Sequence, residues 1–323
     1  MRVLRSLEEF SRGAPVTLTL GTFDGVHRGH RKIIDRTVAI ARETDTRSVL
    51  LTFDPHPREV IGRHGAPTYL LTTIDERIRL LEHTGLDICL VLPFTRDLSV
   101  LDAGVFFEEY VVRNLHSSHV VVGIDHAFGR GRSGTVVKLE EYGNAFGIGV
   151  TVVGELLIDG VKVSSTSIRN ALLEGKPKRA ASFLGRPYIL SGIVTRGEGV
   201  GTVIGFPTAN IEIETNNKLL PKNGVYLVFV RYDGEIRRGI MNVGVRPTVS
   251  KQMHISVEVH IFNTSGDLYG RHMRIALLDR LRDEIHFENR DQLIAQIRTD
   301  IAFAKEEFES KDREYNIEQC TFL

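Results

Sequence analysis

Two histidines three positions apart, His27 and His30, lie in the segment Gly21-Thr22-Phe23-Asp24-Gly25-Val26-His27-Arg28-Gly29-His30. At a helix start that spacing points both imidazoles the same way, and Gly21, Gly25 and Gly29 let the backbone approach a ligand closely. Such a pair can donate to phosphate oxygens or ligate a metal; with no carboxylate at zinc spacing nearby, phosphate is favoured. The segment lacks both G-x-G-x-x-G and G-x-x-x-x-G-K-[ST], which argues against a dinucleotide fingerprint and a P-loop. A second group comprises Gly197, Gly199 and Gly201, then Gly205-Phe206-Pro207-Thr208-Ala209-Asn210. A glycine cluster alone reads as turn chemistry. The run Val163-Ser164-Ser165-Thr166-Ser167-Ile168-Arg169 supplies hydroxyls and one Arg, which suit a helix N-cap or phosphate equally. From spacing alone Glu258, in Val257-Glu258-Val259-His260-Ile261, is an outward-facing strand residue, and Arg280-Leu281-Arg282-Asp283-Glu284 is a solvated charge run.

The elements that must position these residues fall into two patterns. In the first half the apolar runs Val16 to Leu20, Ser48 to Phe53, Ile88 to Leu92, His119 to Val122 and Val150 to Val153 alternate with helical stretches, which predicts βαβ units and a parallel sheet. Ile33, Ile34, Val38, Ala39 and Ile40 mark a helix after the histidines, whose N-terminal amides would face an anion. Another helix is expected from Thr73, where Thr73-Ile74-Asp75-Glu76 has capping-box spacing, to about Gly85. Gly175-Lys176-Pro177-Lys178-Arg179 punctuates the chain. After it come strands without helices between them: Tyr188 to Val194, Val225 to Tyr232, Arg237 to Val243, His254 to Phe262 and Met273 to Leu281, with Asp233-Gly234 as a hairpin turn. They predict a small antiparallel barrel, with a helix over Arg290 to Phe308 packed on it. The expected domains are 1–182, α/β and Rossmann-like, and 183–323, the barrel with its C-terminal helix.

Composition narrows the partners. The 323 residues exceed what one core usually serves, so two domains are the default. Lys plus Arg equals Asp plus Glu at 41 each, which removes the basic field expected of a nucleic-acid binder. Anionic ligands must then be held locally. The start, Met1 to Ala14, has no apolar signal region and no stretch is long enough to span a bilayer, which reads as a soluble, cytoplasmic protein. Cys89 and Cys320 lack metal or disulfide spacing and read as a buried and a tail thiol.

Taken with Thr52-Phe53-Asp54-Pro55-His56-Pro57 and Val122-Gly123-Ile124-Asp125-His126-Ala127-Phe128-Gly129-Arg130, the first segment resembles the nucleotide-binding turn of the bacterial bifunctional riboflavin kinase/FAD synthetase family, a branch of the HxGH nucleotidyltransferases. The Pro-Thr-Ala-Asn run is similar to the metal and phosphate loop of riboflavin kinases. The resemblance extends from about Val16 to Ala304 with the motifs in the family's order. It implies FMN adenylylation to FAD in the first half and riboflavin phosphorylation to FMN in the second, each with Mg²⁺ and ATP. It implies an ATP site of Gly21, Thr22, Phe23, Asp24, Gly29, Ser164, Ser165 and Thr166, with His27, His30 and Arg169 acting on phosphate charge. Asp54, Pro55, Pro57, Asp125 and Phe128 would border the flavin and nucleotide pocket.

For the second site the resemblance implies phosphate contacts at Gly197, Gly199, Gly201, Gly205, Phe206 and Pro207, metal-holding oxygens on Thr208 and Asn210, a proton-accepting Glu258, and flavin contacts at Arg280, Arg282 and Glu284. An FMN phosphate attacks as an anion and needs only donors for the departing pyrophosphate, whereas a ribityl hydroxyl needs a carboxylate. Ala127 stands where many relatives carry Arg or another polar residue, and Thr202 where they often carry Arg. The competing expectations are a nucleotidyltransferase for another phosphate acceptor and a flavin-binding module without catalysis. The expected partners are small molecules, with no nucleic acid and no membrane; the sequence leaves oligomeric state open.

Overall fold

The computed structural model describes residues 1–10, 13–62, 69–197, 201, 204–247, 253–264 and 266–311. The chain divides into two compact units, Met1–Ser165 and Thr166–Leu323.

The first unit is built on a six-stranded sheet in the order β1-β4-β3-β2-β5-β6, parallel throughout. Its strands are β1 (Arg2–Leu4), β2 (Val16–Leu20), β3 (Arg47–Phe53), β4 (Ile88–Leu92), β5 (Ser117–Gly123) and β6 (Gly149–Val153). Near-continuous apolar runs are what a sheet covered on both faces requires. In β3, Val49, Leu51 and Phe53 enter one core while Leu50 enters the other, beside Ile34, Val38, Leu81, Cys89 and Val91. Helix α1 (Arg28–Glu43) covers that second face through Ile34 and Val38. From β2 the chain moves outward through β3 and β4, then returns to place β5 on the other side of β2. The carboxyl ends of β2 and β5 therefore flank a topological switch point, where sheets of this kind bind ligands.

Around the sheet lie α2 (Pro57–Ile61), α3 (Ile74–Glu82), α4 (Arg96–Ser99), α5 (Ala103–Phe106), which runs into a π-helical stretch at Phe107–Asn114, and α6 (Val136–Phe146). The Thr73/Glu76 capping box is present, with Glu76 N donating to Thr73 Oγ1 (3.2 Å) and Thr73 N to Glu76 Oε2 (3.0 Å). A short β7/β8 hairpin (Leu157–Ile158, Val161–Lys162) completes the unit. The Cys89 thiol is fully buried, and burial pushes its pKa up to about 12.

The second unit begins with α7 (Ser165–Leu173, sharing its first residue with the preceding unit) and α8 (Pro177–Leu184), the latter packed on β14 and β9. A closed antiparallel barrel follows in the order β10-β13-β12-β11-β14-β9. Its strands are β9 (Tyr188–Thr195), β10 (Ala209–Ile213), β11 (Gly224–Tyr232), β12 (Glu235–Pro247), β13 (Met253–Ile261) and β14 (His272–Arg282). Asp233 (φ 49°) and Gly234 (φ 83°) form the expected turn between β11 and β12, both in the left-handed region such hairpins need. Helix α9 (Arg290–Ser310) lies against the barrel's outer face, where Ala304 and Phe308 join Phe229, Ile240 and Phe262. β1, the β7/β8 hairpin and β10 are additions to the strands expected from sequence. Gly199, Thr202 and Cys320 lie outside the described residues.

Candidate functional site

The first constellation grows from the turn after β2. Two of its non-glycine residues, Phe23 (φ 47°) and Val26 (φ 39°), are left-handed, a conformation especially unfavourable for a β-branched side chain. Backbone of this kind persists only where its surroundings over-determine it, and it clusters at ligand sites. Here the determinant is Asp24. Its buried carboxylate accepts from Leu71 N (3.0 and 3.2 Å), Thr72 N (3.0 Å) and Thr72 Oγ1 (3.2 Å), while Gly25 N donates to Thr72 Oγ1 (3.0 Å). Asp24 thus holds the turn against residues 71–72.

His27 caps α1: its Nδ1 accepts from His30 N (3.2 Å), and its ring stacks on that of His30 at 3.5 Å between centroids. With Nδ1 occupied as acceptor, the neutral imidazole carries its proton on Nε2, which makes that edge a donor. The His30 ring is held edge-on by Phe23, 5.1 Å away. Gly29 leaves room for this stack, since a Cβ there would lie 3.2 Å from the His27 ring and 3.4 Å from Val163 O. Ser165 is drawn to the same turn, its Oγ donating to Asp24 O (2.8 Å). Ser164 precedes it, whereas Thr166 and Arg169 lie on α7, which belongs to the second unit.

The loops after β3 and β5 end at the same edge of the sheet as this turn. Asp54 is exposed; Pro57 opens α2, and His56 caps it by accepting from Arg58 N (3.1 Å) while its own N donates to Glu59 (2.8 Å). Asp125 is ion-paired with Lys162, which also reaches Glu155 (3.3 Å). Phe128 packs between Phe106 and His126, at 5.6 and 5.7 Å. Burial, aided by Arg132, lowers His126 to about 4, so it is neutral near pH 7. Ala127 presents no polar group here.

Under these loops lies a residue that sequence reasoning passed over. Arg77, 2% exposed, donates from NH1 to Thr52 Oγ1 (3.3 Å) and to Phe53 O (3.4 Å), and Thr52 Oγ1 donates to Thr22 O (3.2 Å). Burial lowers the pKa of its guanidinium, opposed by the charges of Asp24 and Asp54. A signal existed in the sequence: position 77 falls three after Ile74 and four before Leu81, in the apolar stripe of α3.

The second constellation is set by strand register. Asn210 on β10 pairs with Glu258 on β13, which on its other side pairs with Asn242 on β12. Val257 and Val259 are buried in the alternate positions, so these three polar side chains share one face of the sheet. Asn242, not anticipated from the sequence, completes the row. Gly197 lies directly against Asn210: a Cβ there would sit 2.0 Å from Asn210 Nδ2. Gly201 stands likewise against Thr208, whose Oγ1 would be 2.9 Å from a Cβ. The Gly205-Phe206-Pro207 stretch is folded back by Phe206 N donating to Gly201 O (2.8 Å) and by His260 Nδ1 donating to Pro207 O (2.8 Å).

The expected flavin residues separate. Glu284 is beside the polar row, because a Cβ on Gly244 would lie 2.3 Å from Glu284 Oε1 and 3.2 Å from Asn242 Nδ2. Arg280 reaches Asn223 O (2.5 Å) and Asp283 (2.7 Å); with Lys222, it brings the Asp283 carboxyl down to about 2. Arg282 is engaged by the buried Asp300 of α9 through Nε (3.0 and 3.1 Å) and NH2 (2.7 Å). Among the described residues no group of three or more His, Cys, Asp or Glu could hold a metal by itself. The fitting donors for a hard cation are the Thr208 hydroxyl and the Asn210 amide oxygen, each packed against a glycine.

Comparison with known proteins then decides the family. A family model described as FAD synthetase matches residues 10–167, and one described as riboflavin kinase matches residues 184–308. The bifunctional riboflavin kinase/FMN adenylyltransferase of Escherichia coli (strain K12) is 36% identical over 311 residues, covering 95% of this chain and 98% of that protein. The chain belongs to this family. The Bacillus subtilis (strain 168) member is 35% identical over 291 residues, covering 89% of this chain and 90% of its own length. A crystal structure described as a macrolide-efflux protein from Streptococcus pneumoniae superposes with a TM-score of 0.85 at 29% identity, covering 94% of this chain and 98% of that one. Among the described residues of this family member, no helix is long and apolar enough to cross a membrane.

Proposed function

We propose an assignment of particular residues to the family's two reactions. As a member, the chain phosphorylates riboflavin to FMN within the half matching riboflavin kinase and adenylylates FMN to FAD within the half matching FAD synthetase. The functional division falls at 182/183, between the two matched segments. In FAD formation an FMN phosphate oxygen forms a bond to the α-phosphorus of ATP while the bond to pyrophosphate breaks. The attacker is already an anion, so catalysis rests on donors that meet the charge on the leaving group. His27 supplies Nε2–H, His30 and Ser164 add donors, and the turn from Gly21 to Gly29 with Ser165 offers close backbone approach. Asp54, Pro55, Pro57, Asp125 and Phe128 border the acceptor.

In FMN formation the riboflavin hydroxyl transfers its proton to Glu258 as its oxygen bonds to the γ-phosphorus of ATP and the bond from that phosphorus to the departing ADP breaks. Thr208 and Asn210 would hold Mg²⁺, which would supply charge neutralisation on the triphosphate. Gly197, Gly201, Gly205, Phe206 and Pro207 line the phosphates, and Glu284 lies on the flavin side. Both reactions draw on ATP, which suits a cytoplasmic enzyme. The observation that carries the assignment is the in-register row Asn210, Glu258, Asn242, a carboxylate set beside a metal-suited amide.

The test is product analysis with riboflavin, Mg²⁺ and ATP. Glu258→Gln should lose FMN formation while still converting supplied FMN to FAD, and His27→Ala with His30→Ala should do the reverse. Equal loss of both reactions in either folded variant would overturn the assignment. Riboflavin returned unchanged by the natural chain would favour the binding-module alternative.

A further inference from the structure

We infer that Arg77 is a positioning residue for FAD formation, tying the loop that borders the FMN phosphate acceptor to the turn that receives ATP. The inference rests on the reading of the first site given above and adds to it a residue outside both loops.

The argument starts from burial. A guanidinium is retained in a dry position only with partners for its charge and donors. Arg77 has carboxylates near its charge and acceptors for NH1, and they are unusual in where they lie. Its NH1 donates to Thr52 Oγ1 (3.3 Å) and Phe53 O (3.4 Å), the last two residues of β3 before the Asp54-to-Pro57 loop. Thr52 Oγ1 passes the link on by donating to Thr22 O (3.2 Å) inside the nucleotide turn. One side chain on α3 therefore fixes the stems of both loops through a single hydroxyl. Of the carboxylates acting on its charge, the two with the largest effect, Asp24 and Asp54, belong one to each loop.

Arg77 Nε is buried without a hydrogen-bond partner among the described residues. A packing role alone is better served by an apolar side chain at this place in the stripe. A planar, permanently charged fork is what two loops of like charge require beneath them if they are to face a triphosphate and a phosphate at fixed separation. In-line transfer depends on that separation, because small misplacements of reacting atoms carry large rate losses.

The experiment uses the full chain and measures both activities. Riboflavin phosphorylation, located in the other half, counts intact molecules, and the denaturant midpoint of the first unit reports whether each variant keeps that unit folded. Arg77→Lys keeps the charge and loses the fork; it should lower kcat for FAD formation at least about tenfold while leaving the KM for ATP within about twofold. Thr52→Val should act in the same direction, Thr52→Ser should restore the rate, and Arg77→Lys combined with Thr52→Val should be no worse than the more damaging single change. If Arg77→Lys and Thr52→Val leave FAD formation intact while His27→Ala abolishes it, the inference falls and the site stands. If His27→Ala is also without effect, the site assignment itself fails. Additive losses, or a Thr52→Ser variant as impaired as Thr52→Val, would likewise overturn the link.

Discussion

The two halves present phosphate chemistry on opposite kinds of scaffold. In the parallel sheet, the candidate groups sit on turns that leave the carboxyl ends of β2, β3 and β5, and the backbone itself is distorted, with Phe23 and Val26 left-handed and Asp24 caged by amide and hydroxyl donors of residues 71–72. In the barrel the candidate groups are neighbours in a ladder, Asn210, Glu258 and Asn242, set side by side by register. A turn can aim many amides and imidazoles at one anion, which suits a reaction whose attacker arrives charged. A ladder holds a carboxylate at a set distance from an amide, which suits a reaction whose attacker must give up a proton.

The contrast can be tested by disturbing each scaffold. The largest effect should come from Asp300→Ala, which leaves the half-buried Arg282 without its carboxylate and should destabilise the barrel unit by about 3 kcal/mol, measured by denaturant unfolding. If that substitution is neutral, α9 is not held to the barrel by this pair. Next, Gly197→Ala should lower FMN formation about 10²-fold, because the new methyl displaces Asn210. The melting temperature should hardly change, since the obstructed atoms end a side chain. A comparable loss in both activity and stability would mean that Gly197 serves the barrel rather than the ladder's ligand.

Acid should separate the halves in another way. His126 binds its proton at about 4 in the folded first unit and at its ordinary 6.5 once unfolded. The unfolded chain therefore takes up the proton first, and stability falls as pH drops from 6.5 towards 4, by at most about 1.4 kcal/mol per unit. Denaturant midpoints measured across that window should show this slope, and His126→Leu should flatten it. The smallest effect is expected from Gly29→Ala, whose methyl meets the His27 ring at 3.2 Å. The ring has to yield by only a few tenths of an ångström, so FAD formation should fall roughly fivefold, about 1 kcal/mol. A loss as large as that of Gly197→Ala would show the turn to be as unforgiving as the ladder.

These differences also explain what could be read from the amino acids. β2 and β4 matched their runs residue for residue, because every position in both is buried and turn formers bound them, Pro15 and Gly21 around β2, Asp87 and Pro93 around β4. Helix α3 was legible from its capping box, and the β11/β12 hairpin from Asp233-Gly234. β1 is too short for periodicity to register, and β10 begins inside the Pro-Thr-Ala-Asn run, whose alternation of Ala209, Ile211 and Ile213 was eclipsed by its chemistry. Asn242 escaped notice because it matters only through a partner sixteen residues away in sequence, a relation that only the register creates. Arg282 looked like a member of an exposed run, yet its partner Asp300 lies on a helix that local spacing could not connect to it. Thr52 and Arg77 are the same kind of omission: each is ordinary by itself and informative only as a bonded pair.

The strand orders carry one consequence for how this chain fails when stressed. A closed barrel has no margin to which a foreign strand can add, but the parallel sheet ends at β1 and at β6. The first margin is three residues long; the second, Gly149–Val153, reads Gly-Val-Thr-Val-Val, rich in branched residues and without charge. Intermolecular sheet growth on heating or crowding should therefore start from β6, and a lysine in place of Thr151 is the place to begin guarding against it.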